Sequence, residues 1–354
     1  MSPPVSIYDS SSLDQLLREL RVAPQAIRQL RNDVLKRFSD EEVALANFPA
    51  RERLAIHSLE LYQQCNSEID GATKLLYRTA TGMLIESVLL RIATGRTTLC
   101  VSSQVGCAAA CDFCATGKMG IAQNLSADEI LDQVLQAGQL LAAEGRKLRN
   151  IVFMGMGEPF HNEENLYLAL ERLTAAELFH HSPTKILIST VGITEVMIRC
   201  ARRFPEVNQA LSLHSVRQDV REELIPLAKK YPLDELRRTL VEVNRLQRGP
   251  VMIEYLMLAR LNDSADDARE LATWLGGLNV HVNLIPYNPI DDAPQLVGSE
   301  QAQRDAFAGL LKQAGLKTTI RYSLGNDIAA ACGQLVKKEN REIARQQSVL
   351  FSAE

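Results

Sequence analysis

Seven short, mostly apolar runs recur along the chain: Thr98–Ser103, Asn150–Met154, Lys185–Thr190, Gln209–His214, Val251–Leu258, His281–Ile285 and Lys317–Arg321. Helical patterns fill most of the gaps, over Glu163–Ala175, Thr194–Arg203, Pro232–Leu246, Ser264–Leu275 and Glu300–Ala314. Another helix is marked by Ser126 with Glu129 three residues on, a capping box that opens the amphipathic run Ile130, Val134, Ala137, Leu140 and Leu141. Strands alternating with helices at this spacing imply an α/β fold. Its sheet is parallel with right-handed crossovers, either open or curled toward a barrel. In such sheets ligands gather at the carboxyl ends of the strands.

The residues ahead of these runs read differently. Residues 1 to about 65 carry helical periodicity, with Leu13, Leu16, Leu17 and Leu20 on one stripe and Ile27, Leu30, Val34 and Leu35 on another. Two β-like runs follow, Lys74–Arg78 and Leu84–Arg91, separated by Ala80-Thr-Gly-Met, and these predict a hairpin.

Of the 354 residues 46% are hydrophobic and 23% charged, which excludes a collagen-like, low-complexity or wholly disordered chain. No apolar run approaches the roughly 18 residues that span a bilayer. The N-terminus has no basic stretch followed by an apolar one, so the expectation is a cytoplasmic protein without a membrane partner. Net charge is −4, from 39 Lys and Arg against 43 Asp and Glu. A polyanion would therefore meet local patches, and two qualify: Arg18, Arg21, Arg28, Arg31, Lys36 and Arg37, which face Glu19 and Asp33, and a tail with Lys337, Lys338, Arg341 and Arg345.

The seven cysteines are unevenly placed, with Cys100, Cys107, Cys111 and Cys114 close together and Cys65, Cys200 and Cys332 remote. Cys107-Ala-Ala-Ala-Cys111-Asp-Phe-Cys114 puts three thiols in one loop. Structural zinc wants four ligands, and no histidine lies nearby to supply the fourth. On a four-iron cluster, three thiolates leave one iron open, and an open iron can chelate the amino and carboxylate groups of S-adenosylmethionine (SAM). Three buried structural cysteines are the plainer alternative.

The loop, with Thr98-Leu-Cys-Val-Ser-Ser-Gln-Val-Gly-Cys107 before it and Ala115-Thr-Gly-Lys-Met-Gly120 after it, closely resembles the RlmN/Cfr family of radical SAM RNA adenine methyltransferases. Phe153-Met-Gly-Met-Gly-Glu-Pro159, Ile188–Ile193, Leu211–Ser215, Asn283–Pro289 and Asn326–Leu335 resemble further blocks of that family, in its order. The resemblance runs from about residue 25 to 335 and implies a partial (βα)6 radical SAM barrel. The expected division is a helical RNA-binding module over 1–68, a β-hairpin linker over 69–96, the barrel core over 97–335 and a tail over 336–354.

The same resemblance implies the site. Cys107, Cys111 and Cys114 would hold the [4Fe-4S] cluster, while Gly157, Glu158, Ser189, Ser212, Leu213, His214 and Asn288 would hold SAM. The glycines of Gly155-Met-Gly-Glu would let backbone approach that ligand. Cys332 would carry a methyl group as S-methylcysteine, because an adenine ring carbon is too weak a nucleophile to attack a sulfonium methyl itself. Cys100 would be the resolving thiol, forming a transient disulfide with Cys332, and Glu86 the general base. The implied substrate is adenosine 2503 of 23S ribosomal RNA, with adenosine 37 of tRNA as a second target. A flavodoxin or ferredoxin would supply electrons to a monomeric enzyme. Glu254-Tyr255 favours carbon 2 of the ring, whereas Ser182-Pro183-Thr-Lys and Arg260 look like the Cfr branch, which makes carbon 8 the alternative. A radical SAM enzyme with another substrate, or an iron–sulfur or zinc protein that only binds RNA, would keep the cysteine loop without needing Cys100 and Cys332.

Overall fold

The computed structural model describes residues 4–46, 48–49, 51–120, 122–321, 323–335 and 340, so the tail's Lys337, Lys338, Arg341 and Arg345 lie outside the described residues. The chain opens with β1 (Val5–Ser6), then α1 (Ser10–Glu19), capped by the Asp9 carboxylate, and α2 (Pro24–Arg31), with proline at its first position. A π turn over Asn32–Lys36 turns both Val34 and Leu35 inward before α3 (Glu41–Leu45) and β2 (Leu54–Ala55), which pairs in parallel with β1. Leu13, Leu16 and Leu35 join one core with the barrel helices. Phe38 covers Gly138, where an added Cβ would come within 2.3 Å of its ring. A second fastening is polar. Fully buried Asp132 accepts from His57 Nδ1 (2.7 Å) and from the amides of Ser58 and Leu59 (2.8 Å each).

Three antiparallel strands come next: β3 (Glu60–Asn66), β4 (Ala72–Arg78) and β5 (Leu84–Arg91). The helical reading of residues up to about 65 therefore fails over β3. That strand is a sheet edge exposed along nearly its whole length, so it has no buried face to impress an alternating pattern on the sequence. The hairpin is not set apart from the barrel, because β5 pairs with β6 (Thr97–Cys100), the first parallel strand.

From β6 the chain makes the small pair β7 (Gln104–Gly106) and β8 (Ala122–Asn124) around the cysteine loop, then winds regularly. The order is α4 (Ala127–Ala143), β9 (Asn150–Phe153), α5 (Glu163–Thr174), β10 (Ile186–Thr190), α6 (Thr194–Arg203), β11 (Asn208–Ser212), α7 (Gln218–Leu224) and α8 (Leu233–Leu246). It continues with β12 (Val251–Met257), α9 (Ala265–Leu275), β13 (Val280–Pro286), α10 (Gln301–Gln313) and β14 (Thr318–Ile320). One ten-stranded sheet results, in the order β14-β13-β12-β11-β10-β9-β6-β5-β4-β3, parallel from β14 to β6 and antiparallel beyond. Six βα units and a seventh short strand curl far enough that Cys100 at the end of β6 and Arg321 just past β14 line one cavity. The sequence foresaw each parallel strand and most of the helices, and the Ser126 capping box is present.

Candidate active site

One cavity opens at the carboxyl ends of the parallel strands, and a second adjoins it within the curl of the sheet, lined by residues nearer the strand starts such as Thr98, Leu187 and Met252. The first is lined by Cys107, Cys111 and Cys114, by Gly155, Gly157 and Glu158 after β9, and by Ser189, Ser212, His214 and Glu254. The second holds Cys100 together with Val88 and Leu90 of β5, Leu187, Met252 and Asn283. Met154, Arg321 and Cys332 line both.

Burial pushes the Cys107 thiol up to about 12, and Cys111 and Cys114 upward as well, with the charges of neighbouring thiols adding to the effect. Thiolates at these positions need a cationic centre to hold them, which is what an iron–sulfur cluster provides. Three thiols along one cavity wall fit a cluster, and among the described residues no three His, Cys, Asp or Glu side chains converge on a single-ion site. Two bonds tie the loop to the segment after Cys332: Ala115 N–H donates to the Gly333 carbonyl (2.7 Å) and the Thr116 hydroxyl to the Leu335 carbonyl (2.5 Å).

The glycines after β9 line the first cavity and also serve a packing purpose that the sequence did not suggest. An added Cβ at Gly155 would meet Ser102 Oγ at 2.6 Å, and one at Gly157, whose φ is 102°, would meet Gln104 Cβ at 2.6 Å. Glycine is required there because two strand ends pack backbone to backbone. Glu158 is buried, accepting from Phe160 N–H (3.0 Å) and Val191 N–H (2.9 Å), so its orientation is fixed. Burial raises its carboxyl to about 7.

His214 is held in the left-handed region, φ 61°, with its ring edge-on to Phe113 at 4.8 Å. Its Nδ1 accepts from Leu256 N–H (3.0 Å), which places the proton on Nε2. Burial, with nearby Arg221, pushes its pKa down to about 3, so the ring is neutral. Arg221 is itself fully buried and donates to the carbonyls of Ser212 (2.9 Å), Leu213 (2.5 Å) and Val191 (2.6 Å). The Leu213 side chain lies in the core, and Asn288 donates to the Cys332 carbonyl (3.0 Å), so these two brace the site without lining either cavity.

Two site residues escaped the sequence. Glu254 lines the first cavity, and its Oε2 accepts from the hydroxyls of Ser189 (2.6 Å) and Ser212 (3.3 Å). Arg321 is the other. Nothing in Thr-Thr-Ile-Arg-Tyr distinguishes it from a surface arginine, and only the curl of the sheet turns it inward.

Glu86 is fully buried on β5 and lines neither cavity. It lies two residues from Val88, the partner of Cys100 in the β5–β6 register, hence on the same face of the sheet. Lys74 Nζ stands 3.8 Å from Glu86 Oε2 and donates to the Ala329 carbonyl (3.3 Å), three residues before Cys332. Cys65 lies on β3 and Cys200 in the α6 core, both away from the cavities.

Residues 101–275 match the model of the Radical SAM superfamily. The chain is 58% identical over 342 residues to a probable RNA methyltransferase of Rhodopirellula baltica, covering 97% of this chain and 90% of that one. A probable dual-specificity RNA methyltransferase RlmN 2 of Protochlamydia amoebophila is 41% identical over 82% of this chain and 81% of its own. This chain belongs to the RlmN/Cfr family of radical SAM RNA methyltransferases. Another member, the ribosomal RNA large subunit methyltransferase Cfr of Staphylococcus aureus, is 37% identical over 91% of this chain and 95% of its own. The family likeness is also one of shape: the crystal structure of a radical SAM methyltransferase from Sphaerobacter thermophilus superposes with a TM-score of 0.88 at 37% identity, covering 94% of this chain and 99% of that one. Membership makes the chain a methyltransferase, and it implies a [4Fe-4S] cluster and SAM.

Proposed function

We propose that this methyltransferase transfers a methyl group to a ring carbon of an RNA adenosine by way of S-methylcysteine at Cys332. The observation that carries the reading is that Cys332 lines both cavities, one walled by the three-thiol loop and the other containing Cys100. A carrier has to stand there, reachable from the methyl source on one side and from the resolving thiol on the other.

A cluster on Cys107, Cys111 and Cys114 with SAM on its open iron supplies, when bound, the methyl group and a 5′-deoxyadenosyl radical. Gly157, Glu158, Ser189, Ser212 and His214 shape the SAM side, with Leu213 and Asn288 behind them. Cys332 sulfur takes the methyl, and after loss of one hydrogen the methylene carbon bonds to the ring. Glu86 accepts the ring proton. The Cys100 thiolate then attacks the Cys332 sulfur; the released carbon takes up a proton to give the methylated base, a disulfide is left for later reduction, and the one surplus electron passes back to the redox partner that supplied the first.

The substrate proposed is adenosine 2503 of 23S ribosomal RNA, with adenosine 37 of tRNA as a second target and a flavodoxin or ferredoxin as electron donor. Identities of 41% to an RlmN and 37% to a Cfr do not choose the ring carbon. Glu254-Tyr255 favours carbon 2, and of that pair Glu254 faces the cavity. Residues 1–68 would hold the RNA by phosphate contacts, with 69–96 as linker, 97–335 as core and 336–354 as tail. Of the basic residues in that module Arg18, Arg21 and Arg28 are exposed, whereas Arg31 is buried against Ser10 and Arg37 pairs with Asp33 (2.7 Å).

The test is mass spectrometry of nucleosides from ribosomal RNA and tRNA treated with anaerobically reconstituted protein, SAM and reductant. The expected product is 2-methyladenosine, with about four iron atoms per chain. Finding 8-methyladenosine would move the assignment to carbon 8. SAM turnover without any methylated adenosine would sink the reading.

A further inference from the structure

Two arginines are enclosed by the barrel, and they are satisfied very differently. Arg221 spends its guanidinium on three backbone carbonyls. Among the described residues, the only hydrogen-bond contact of the Arg321 guanidinium is the Met154 sulfur at 3.6 Å, a weak acceptor. The Arg321 backbone is fixed, its N–H donating to the Leu284 carbonyl (2.8 Å), so the side chain starts from a rigid strand end. Cys332 first, then Glu254 and Cys100, favour its charged form against the cost of burial. Arg96, the other cation lining the second cavity, is exposed and turned to Thr94. A half-buried guanidinium that lines two cavities, with most of its donors unspent among the described residues, is placed to take an acceptor that arrives with a ligand.

The second cavity indicates what that ligand is. It holds about 470 Å³ and contains both Cys100 and Cys332. Val88, Leu90, Met154, Leu187 and Met252 give it apolar walls suited to a planar ring, with Arg321 at the wall shared with the first cavity. We propose that Arg321 donates a hydrogen bond to a ring nitrogen flanking the carbon attacked in the target adenine, with the extruded base seated in this second cavity. The inference rests on the function proposed above and adds a residue that acts on the base itself.

The chemistry explains why a cation is wanted there. A carbon radical next to sulfur is electron-rich and adds faster to an electron-poor ring. Addition joins its unpaired electron with one ring π electron in a new carbon–carbon bond and leaves the other π electron on the ring, largely at the neighbouring nitrogen. No other bond breaks and no further oxidant is consumed in this step. Arg321 meets that electron density as it develops, with a donor already in place. It also fixes which edge of the base faces Cys332.

The experiment uses the reconstituted full chain in single-turnover reactions. Its substrates are RNA with adenosine at the target position, or 1-deaza-, 3-deaza- or 7-deazaadenosine, each with one ring nitrogen replaced by C–H. Removing a donor of this kind should slow C-methylation roughly 10²-fold in Arg321→Met. On the RNA lacking the bonded nitrogen the wild type should be equally slow, and Arg321→Met should lose nothing more. That nitrogen is N1 or N3 for attack at carbon 2 and N7 for attack at carbon 8. Arg321→Lys, which keeps the charge, should lose less and show the same nitrogen dependence. An equal loss on all four RNAs would overturn the inference and place Arg321 with the thiols or with SAM. Wild-type protein that methylates no adenosine would instead bring down the proposed function, and this inference with it.

Discussion

The two walls of the site are made in different ways. The cluster wall comes from one loop, Cys107 to Cys114, backed by backbone that Arg221 ties together. The opposite wall brings Cys100, Arg321 and Cys332 together from distant parts of the chain, the first on β6 and the others at and beyond β14. On the first wall Glu158, Glu254, Ser189, Ser212 and Arg221 are hydrogen-bonded within the protein. On the second, a guanidinium, two thiols and the nearby Glu86–Lys74 pair face cavity space or the Cys332 loop. Mutual satisfaction holds a surface rigid for a cofactor, whereas unspent donors and nucleophiles are available to a substrate.

The largest expected effects lie on the second wall, and they separate its two thiols. Cys332→Ala should abolish methyl transfer and form no RNA-linked protein, because nothing accepts the first methyl. Cys100→Ala should retain the carrier and lose its release step, so protein covalently joined to RNA should accumulate on denaturing gels and collapse on nuclease digestion. Methylated RNA from Cys332→Ala, or no cross-link from Cys100→Ala despite SAM cleavage, would dissolve the distinction between the walls.

A smaller effect tests the contrast between the arginines. Arg221→Met strips a donor from three buried carbonyls and should cost about 3 kcal/mol in chemical denaturation. Arg321→Met leaves no carbonyl orphaned and should unfold within about 1 kcal/mol of wild type. Equal destabilisation by both would mean that Arg321 is a structural arginine after all.

The smallest effect lies outside both walls, on the N-terminal helices. Replacing Arg18, Arg21 and Arg28 by alanine should weaken RNA binding and lower the slope of log affinity against log salt by roughly 1 for each phosphate no longer neutralised. SAM cleavage without RNA should be unaffected. An unchanged slope would make these residues an ordinary solvated face and shift the search for the RNA surface to the barrel rim.

These differences also mark what could be read from the chain. The parallel strands were legible because burial between layers of helices makes each a continuous apolar run, and the cysteine loop because its three thiols are close in sequence. Strand β3 was illegible, since an exposed edge carries no hydrophobic period. The Gly155 and Gly157 signal was visible and its packing cause was not: a glycine demanded by a neighbouring strand looks the same in sequence as one demanded by a ligand.

By itself the sequence determined the βα winding, the three-thiol loop and the likeness to a family, all of which rest on local pattern or on contiguous motifs. Only the tertiary structure decided that Cys332 borders two cavities, that Glu254 gathers Ser189 and Ser212, and that Arg321 lines both cavities with most of its donors unspent among the described residues. The physical reason is the curl of the sheet. Which side chains share an interior depends on how far the strands twist around one another, and that angle is set by packing across the whole barrel, so no short stretch of sequence encodes it.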